Sequence, residues 1–279
     1  MLFRLPGAIA RAVLVVMLII MPSVLLPGQT DDGTQVVALV SIFAALFAIV
    51  EYSANSPSLV EFRDAPPFNR VRFSALFATV LSLSMIFRSS VAPSDITTFF
   101  QQSSEQIGRA IDFPYSPVRL MVLMLPDNAN PRIVEQLRDA AGLSYLISLL
   151  SIMWFVILLR LQQWPRRGGA FNVWINLPTF DPTAGGDVVK RLNRDGRINV
   201  ILGVLLPFLI PAVIKLASLI GSPIRLDDPQ TLIWTVTAWA FLPASILMRG
   251  VALTRVAQMI FVQRQKAYAK AGADGAYLD

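Results

Sequence analysis

Along the chain, long apolar runs alternate with polar connections, and the lengths of the runs decide how it is read. Six runs stand out: residues 8–26, 35–52, 73–87, 143–161, 198–220 and 231–248. A helix that crosses a bilayer needs about 20 predominantly apolar residues, within a range of about 17–25. The third run is the shortest and borrows residues 71–72 and 88–91 at its ends. The pattern therefore predicts an all-α polytopic membrane protein, a bundle of six transmembrane helices. Arg11 interrupts the first run, Pro22 sits inside it and no A-x-A pattern follows, so it reads as a retained helix and not a cleaved leader.

Between the runs the polar residues predict the rest of the organisation. Residues 1–92 hold the first three helices and 93–142 an outer, periplasmic helical segment. Residues 143–249 hold the last three helices around a cytoplasmic loop at 162–197, and 250–279 form a basic amphipathic tail. In the outer segment, 95–113 has Phe100, Ile107 and Ile111 on one helical face. Asn130 followed by Pro131 reads as a cap and first helical residue, opening a helix that can run unbroken into the fourth span. In the cytoplasmic loop, Asp187 reads as the cap of a short basic helix that Gly196 should stop. In the tail, Leu253, Val256, Ile260 and Ala267 share a face, which predicts a helix lying on the membrane surface.

Composition agrees with lipid as the solvent. The 279 residues are 54% hydrophobic and only 15% charged, against about 25% charged in soluble domains, and the mean hydropathy is +0.58. Most of the 24 Lys and Arg residues collect on one side of the six-span arrangement. With six spans, the positive-inside bias places both termini in the cytoplasm of a bacterial inner membrane. The net charge of +6 is accounted for in the same way, with no zinc-finger, RNA-binding or basic-zipper pattern to suggest nucleic acid.

The chain contains no Cys and no His, which removes thiolate nucleophiles, cysteine zinc sites, haem ligation by imidazole and Ser-His-Asp catalysis. Asp31-Asp32 and Asp227-Asp228 each lack the third acid of a magnesium-binding D-D-x-x-D cluster. Neither a metal nor a redox cofactor is expected, and bound lipid is the expected ligand.

Few residues remain as site candidates. An ionisable group inside a span is a functional candidate by default, and Lys215 is the one that lies some way below the outer end of its run. Pro207 and Pro211, four apart in the same helix, should kink it and free backbone carbonyls, so the three form a possible polar site. The run 118–125 is apolar but far too short to span. Leu120, Val122, Leu123 and Leu125 within it are the candidate partner interface, with an interfacial anchor and a small core beneath the outer segment as the competing readings. Trp164, Arg166, Arg167, Arg255, Arg264 and Lys266 are expected at the membrane surface. Small residues repeat at four-residue spacing, as in Ser74/Ala78/Ser82, Ser144/Ser148 and Ala240/Ala244, which suits close helix packing.

These features favour a non-catalytic accessory, scaffold or assembly subunit that acts through a membrane protein partner or a second copy of itself. The alternative is a small-solute transporter or channel that uses the kinked fifth helix.

Overall fold

The computed structural model describes residues 5–27, 31–162, 164–165, 171–181, 183, 185–221 and 228–275. Among the described residues there is no strand. The helices are α1 (Leu5–Leu25), α2 (Asp31–Ser53), α3 (Phe68–Ser89), α4 (Asp95–Ile111), α5 (Pro117–Leu123), α6 (Pro131–Leu161), α7 (Val173–Asn176), α8 (Val188–Ile220) and α9 (Pro229–Gly275). Six of them, α1, α2, α3, α6, α8 and α9, are long and apolar enough to cross a membrane. The chain is thus built as a multi-pass membrane protein.

The caps fall where the polar residues predict them. Asn130 accepts the Arg132 N–H at 2.9 Å through its side chain, with Pro131 at the first helical position. The outer helix and the fourth span merge into the single α6. Asp187 accepts the Lys190 N–H at 2.9 Å, and Asp228 accepts the Thr231 N–H at 2.7 Å. The α4 start is a capping box in which Ser94 and Thr97 satisfy each other's backbone N–H groups.

Two expected breaks do not exist. Gly196 does not stop a short helix, because α8 continues through it to Ile220. Residues 250–275 are not a separate surface helix either, because α9 runs unbroken from Pro229 to Gly275. Packing explains both. A Cβ placed on Gly196 would stand 2.6 Å from Thr254 Oγ1 and 3.0 Å from the Gly250 carbonyl oxygen. One on Gly203 would stand 2.5 Å from Leu247 Cβ, and one on Gly250 2.6 Å from the Gly196 carbonyl oxygen. The absent side chains let the α8 and α9 backbones touch. Helix-ending propensity at Gly196 is worth at most about 1 kcal/mol, so this contact overrides it.

The first half of the tail face expected on lipid is instead interior, while Ile260 is half-buried and Ala267 exposed. Leu253 and Val256 are buried, together with Ala252 and Ala257, against α6 and the α7 region. Two clusters form the core. One, at the α5 end, gathers Leu18, Leu83, Phe87, Val118, Met121, Leu137, Val236 and Trp239. The other, at the α7 end, gathers Phe62, Phe68, Phe155, Leu159, Trp164, Leu177, Leu192 and Met248. The small-residue stripes of α6 and α9 meet, since Ser148 Oγ donates to the Ala240 carbonyl at 3.0 Å. Ser74 departs from its stripe and is exposed, because α3 buries Val71, Ala75 and Thr79 instead.

Helix α1 packs along α2 and touches α3. At the α5 end, Arg88 Nη1 of α3 donates to the Leu25 carbonyl of α1 at 2.8 Å. At the opposite end a cavity lies between the two helices, and residues 62–66 of the connection 54–67 help line it. Glu51 holds that connection. Its carboxylate accepts the N–H groups of Ser58 at 3.1 Å and of Leu59 and Val60 at 3.2 Å, as well as the Ser58 hydroxyl. Glu51 is buried in this backbone nest and does not reach out to headgroups.

Candidate functional site

The kink residues of α8 are held by neighbours. Pro211 has no N–H, so the carbonyl of Pro207, four residues earlier, loses its helical donor. Trp239 Nε1 of α9 donates to that oxygen at 3.0 Å. Lys215 Nζ donates to the Leu125 carbonyl at 3.0 Å and lies 3.4 Å from Asp127 Oδ1. Asp127 is fully solvent-exposed, so the ion pair itself is weak. The lysine pins the end of α5 to α8.

That pin brings two sequence candidates into one place. Leu120 and Leu123 of α5 line a shallow, almost entirely apolar groove of about 330 Å³ with Pro211, Ala212, Lys215 and Leu216 of α8. The apolar run is otherwise divided. Val118, Met121, Met124 and Leu125 are buried in the core, Val122 is half-buried and Leu123 is exposed. Leu125 is therefore a core residue and not a surface one. A seven-residue helix can bury only one face, and α5 packs chiefly against α6, with α8 and α4 alongside.

The residues expected at the membrane surface scatter. Trp164 is buried, with its ring 5.8 Å from Phe62 and 6.3 Å from Phe171, because the α7 region folds back over it. Arg264 Nη1 binds Asp187 Oδ2 at 2.8 Å, tying α9 to the cap of α8. The Lys190 N–H and then this arginine hold the Asp187 carboxyl below the usual carboxylate range. Arg255 lines a hollow of about 350 Å³ with Arg160, Trp164 and Pro165. Lys266 is exposed. Arg166 and Arg167 lie outside the described residues.

A further cavity is formed by residues that the sequence pattern does not single out. A cavity of about 650 Å³ opens between α1 and α3 at the α7 end, under the 54–67 connection. Gly7, Ala10, Arg11, Leu14 and Val15 of α1 line it, facing Tyr52, Phe62, Arg63, Asp64, Pro66, Asn69, Arg70 and Phe73. Arg63 is internal support, with Nη1 donating to the Glu51 and Ala54 carbonyls at 2.9 and 2.7 Å and Nε 3.4 Å from Asp64. Arg11 lies over the Tyr52 ring at 4.7 Å, with Nη1 on the Gly7 carbonyl at 2.8 Å. Arg70 is exposed, and no ion pair engages it among the described residues. The signal for this site was present as lining positions three and four apart on both helices. The arginines were absorbed into the general positive-inside bias.

Among the described residues no group of three or more potential metal-ligating side chains converges. Comparison of the chain with protein-family models, curated proteins and solved structures returned no match.

Proposed function

We propose that the protein is a non-catalytic membrane subunit, an accessory or scaffold that acts through a membrane protein partner docked on the α5–α8 groove. The observation that carries this reading is that half-buried Leu120 and exposed Leu123 line a groove with Pro211, Ala212 and Leu216, while Val118, Met121, Met124 and Leu125 are buried. The groove therefore offers apolar side chains on a rigid base, which suits an interface anchor. The alternative of transport drew on Pro207, Pro211 and Lys215. It has less support, because Trp239 satisfies the freed carbonyl and Lys215 is engaged by Leu125.

Replacing Leu120 and Leu123 together by Ser should leave membrane abundance unchanged and reduce partner recovery on pull-down from mild detergent by tenfold or more. Each large aliphatic side chain is worth roughly 1.5–3 kcal/mol when buried. Undiminished recovery at normal abundance would remove the groove from the interface. A lone protein that moves a solute across liposomes would favour transport instead.

This reading places the α5 end in the periplasm and both termini in the cytoplasm of a bacterial inner membrane, on the distribution of Lys and Arg. Reporter fusions after Arg70 and Gly186 should therefore read as cytoplasmic and one after Asp112 as periplasmic. A fusion after Gly186 that reads as external would overturn the orientation.

A further inference from the structure

We infer that the cavity between α1 and α3 is a specific binding site for an anionic phospholipid, whose phosphate sits on Arg11 and Arg70 and whose acyl chain follows Leu14, Val15 and Phe73. The cavity is graded in polarity along the helix axes. Arg11 is in the second turn of α1 and Arg70 in the first turn of α3, at the same end of the bundle. Leu14 and Val15 lie about 4.5–6 Å deeper than Arg11, and Phe73 about 4.5 Å deeper than Arg70, at 1.5 Å per residue. A cationic mouth above an apolar floor matches an amphiphile with a negative head, and a free anion would leave the floor uncovered.

Charge and preorganisation support the same occupant. Three arginines and one aspartate line the cavity, and Arg63 already balances Asp64 at 3.4 Å. Arg11 and Arg70 are left as uncompensated positive charge. Arg11 is positioned by its own helix and by Tyr52, with one Nη engaged at Gly7 and the other N–H groups of its planar fork free for phosphate oxygens. The volume of about 650 Å³ is within the range of small-molecule sites, about 300–1,000 Å³. Basic pockets between transmembrane helices recognise anionic headgroups by this combination of charge and depth. The site is remote from the α5–α8 groove and independent of it.

The test uses the full-length protein in nanodiscs that mix phosphatidylglycerol and phosphatidylcholine with identical acyl chains. Lipid retained after extraction is read by native mass spectrometry. The wild type should retain phosphatidylglycerol selectively. Arg11→Gln and Arg70→Gln should each lower that preference about fivefold, and the pair about 25-fold. Because both side chains are exposed, elution and melting temperature should not change. Lys266→Gln with Lys270→Gln removes the same charge elsewhere and should leave retention intact. Leu14→Trp fills the floor and should weaken retention with both arginines present, which keeps the proposal testable if an arginine variant misfolds.

Unchanged retention in the Arg11/Arg70 pair would overturn the site. An equal loss in the lysine pair would reduce it to general surface charge. Displacement of the lipid by soluble glycerol phosphate at equal concentration would identify a free-phosphate site instead. A co-purifying polypeptide that crosslinks to Arg70→Cys in place of lipid would assign the cavity to protein.

Discussion

Gly250→Ala should destabilise the protein by about 3 kcal/mol and strongly reduce its accumulation in the membrane. Two effects oppose each other here, and their sizes differ. Alanine is the better helix former by about 1 kcal/mol, so a lone helix would gain. In the folded protein the new Cβ would meet the Gly196 carbonyl oxygen at 2.6 Å and Val200 N and Cγ2 at 2.8 Å. Two of these three are backbone atoms, which cannot rotate away, so α8 and α9 must separate. Overpacking costs about 1–3 kcal/mol, and more where backbone has to move. Gly203→Ala should behave alike, against Leu247 N and the Pro243 carbonyl at 2.8 Å. Gly185→Ala is the control, with nothing within 4 Å of its Cβ. Thermal melting in detergent, with membrane abundance measured alongside, checks all three. A rise in melting temperature for Gly250→Ala would mean that the α8–α9 contact does not hold the two helices this close.

Glu61→Ala should cost about 2–3 kcal/mol, the second largest effect expected of a single substitution. Glu61 is on the 54–67 connection, and Arg249 Nε and Nη2 donate to its two oxygens at 2.6 and 2.7 Å. Thr179 Oγ1 donates to the same carboxylate at 2.7 Å, and Asn69 Nδ2 donates to the Glu61 carbonyl at 2.8 Å. One residue thus ties the connection to α3, to the α7 region and to α9. The glutamate side chain is 11% exposed and the arginine 31%, so the pair is partly shielded and its hydrogen bonds are charge-assisted. A double-mutant cycle with Arg249→Ala should return a coupling of about 1.5–3 kcal/mol. A coupling under about 0.5 kcal/mol would place the pair with solvent-screened surface bridges.

The legible parts of this protein were those set by local pattern and solvent. Run length and apolarity decided six membrane-length helices. Caps were readable because Asn130 and Asp187 satisfy N–H groups within three residues of themselves. The third helix was too short in the sequence reading, because Phe68 and Val71 are buried beside the polar Asn69, Arg70 and Arg72. The candidate sites fared less evenly. Leu120, Leu123, Pro211 and Lys215 were legible one at a time, yet their meeting in one groove depends on α5 folding back onto α8. The Arg11–Arg70 cavity leaves only a faint trace in the sequence, the three- and four-residue spacing of its lining positions. Its two walls are far apart in sequence, and each arginine alone is an ordinary interface residue.

Glycine marks the division. From sequence, Gly196 reads as a helix stop, since its backbone freedom is a local property. In the structure it is the point where one helix admits another, and only the presence of Gly250 on α9 makes it so. Composition and periodicity report what each segment needs from its surroundings, which here is lipid or a packed neighbour. They carry no record of which segment answers. Local pattern sets the class and the number of long helices, and it marks the caps at Asn130 and Asp187. The tertiary structure alone decided that α8 and α9 run through their apparent breaks, that Lys215 and the α8 prolines are engaged within the fold, and that α1 and α3 part around a cavity. The physical reason is that segment length and capping are short-range, while helix approach and cavity shape depend on side chains brought together from distant parts of the chain.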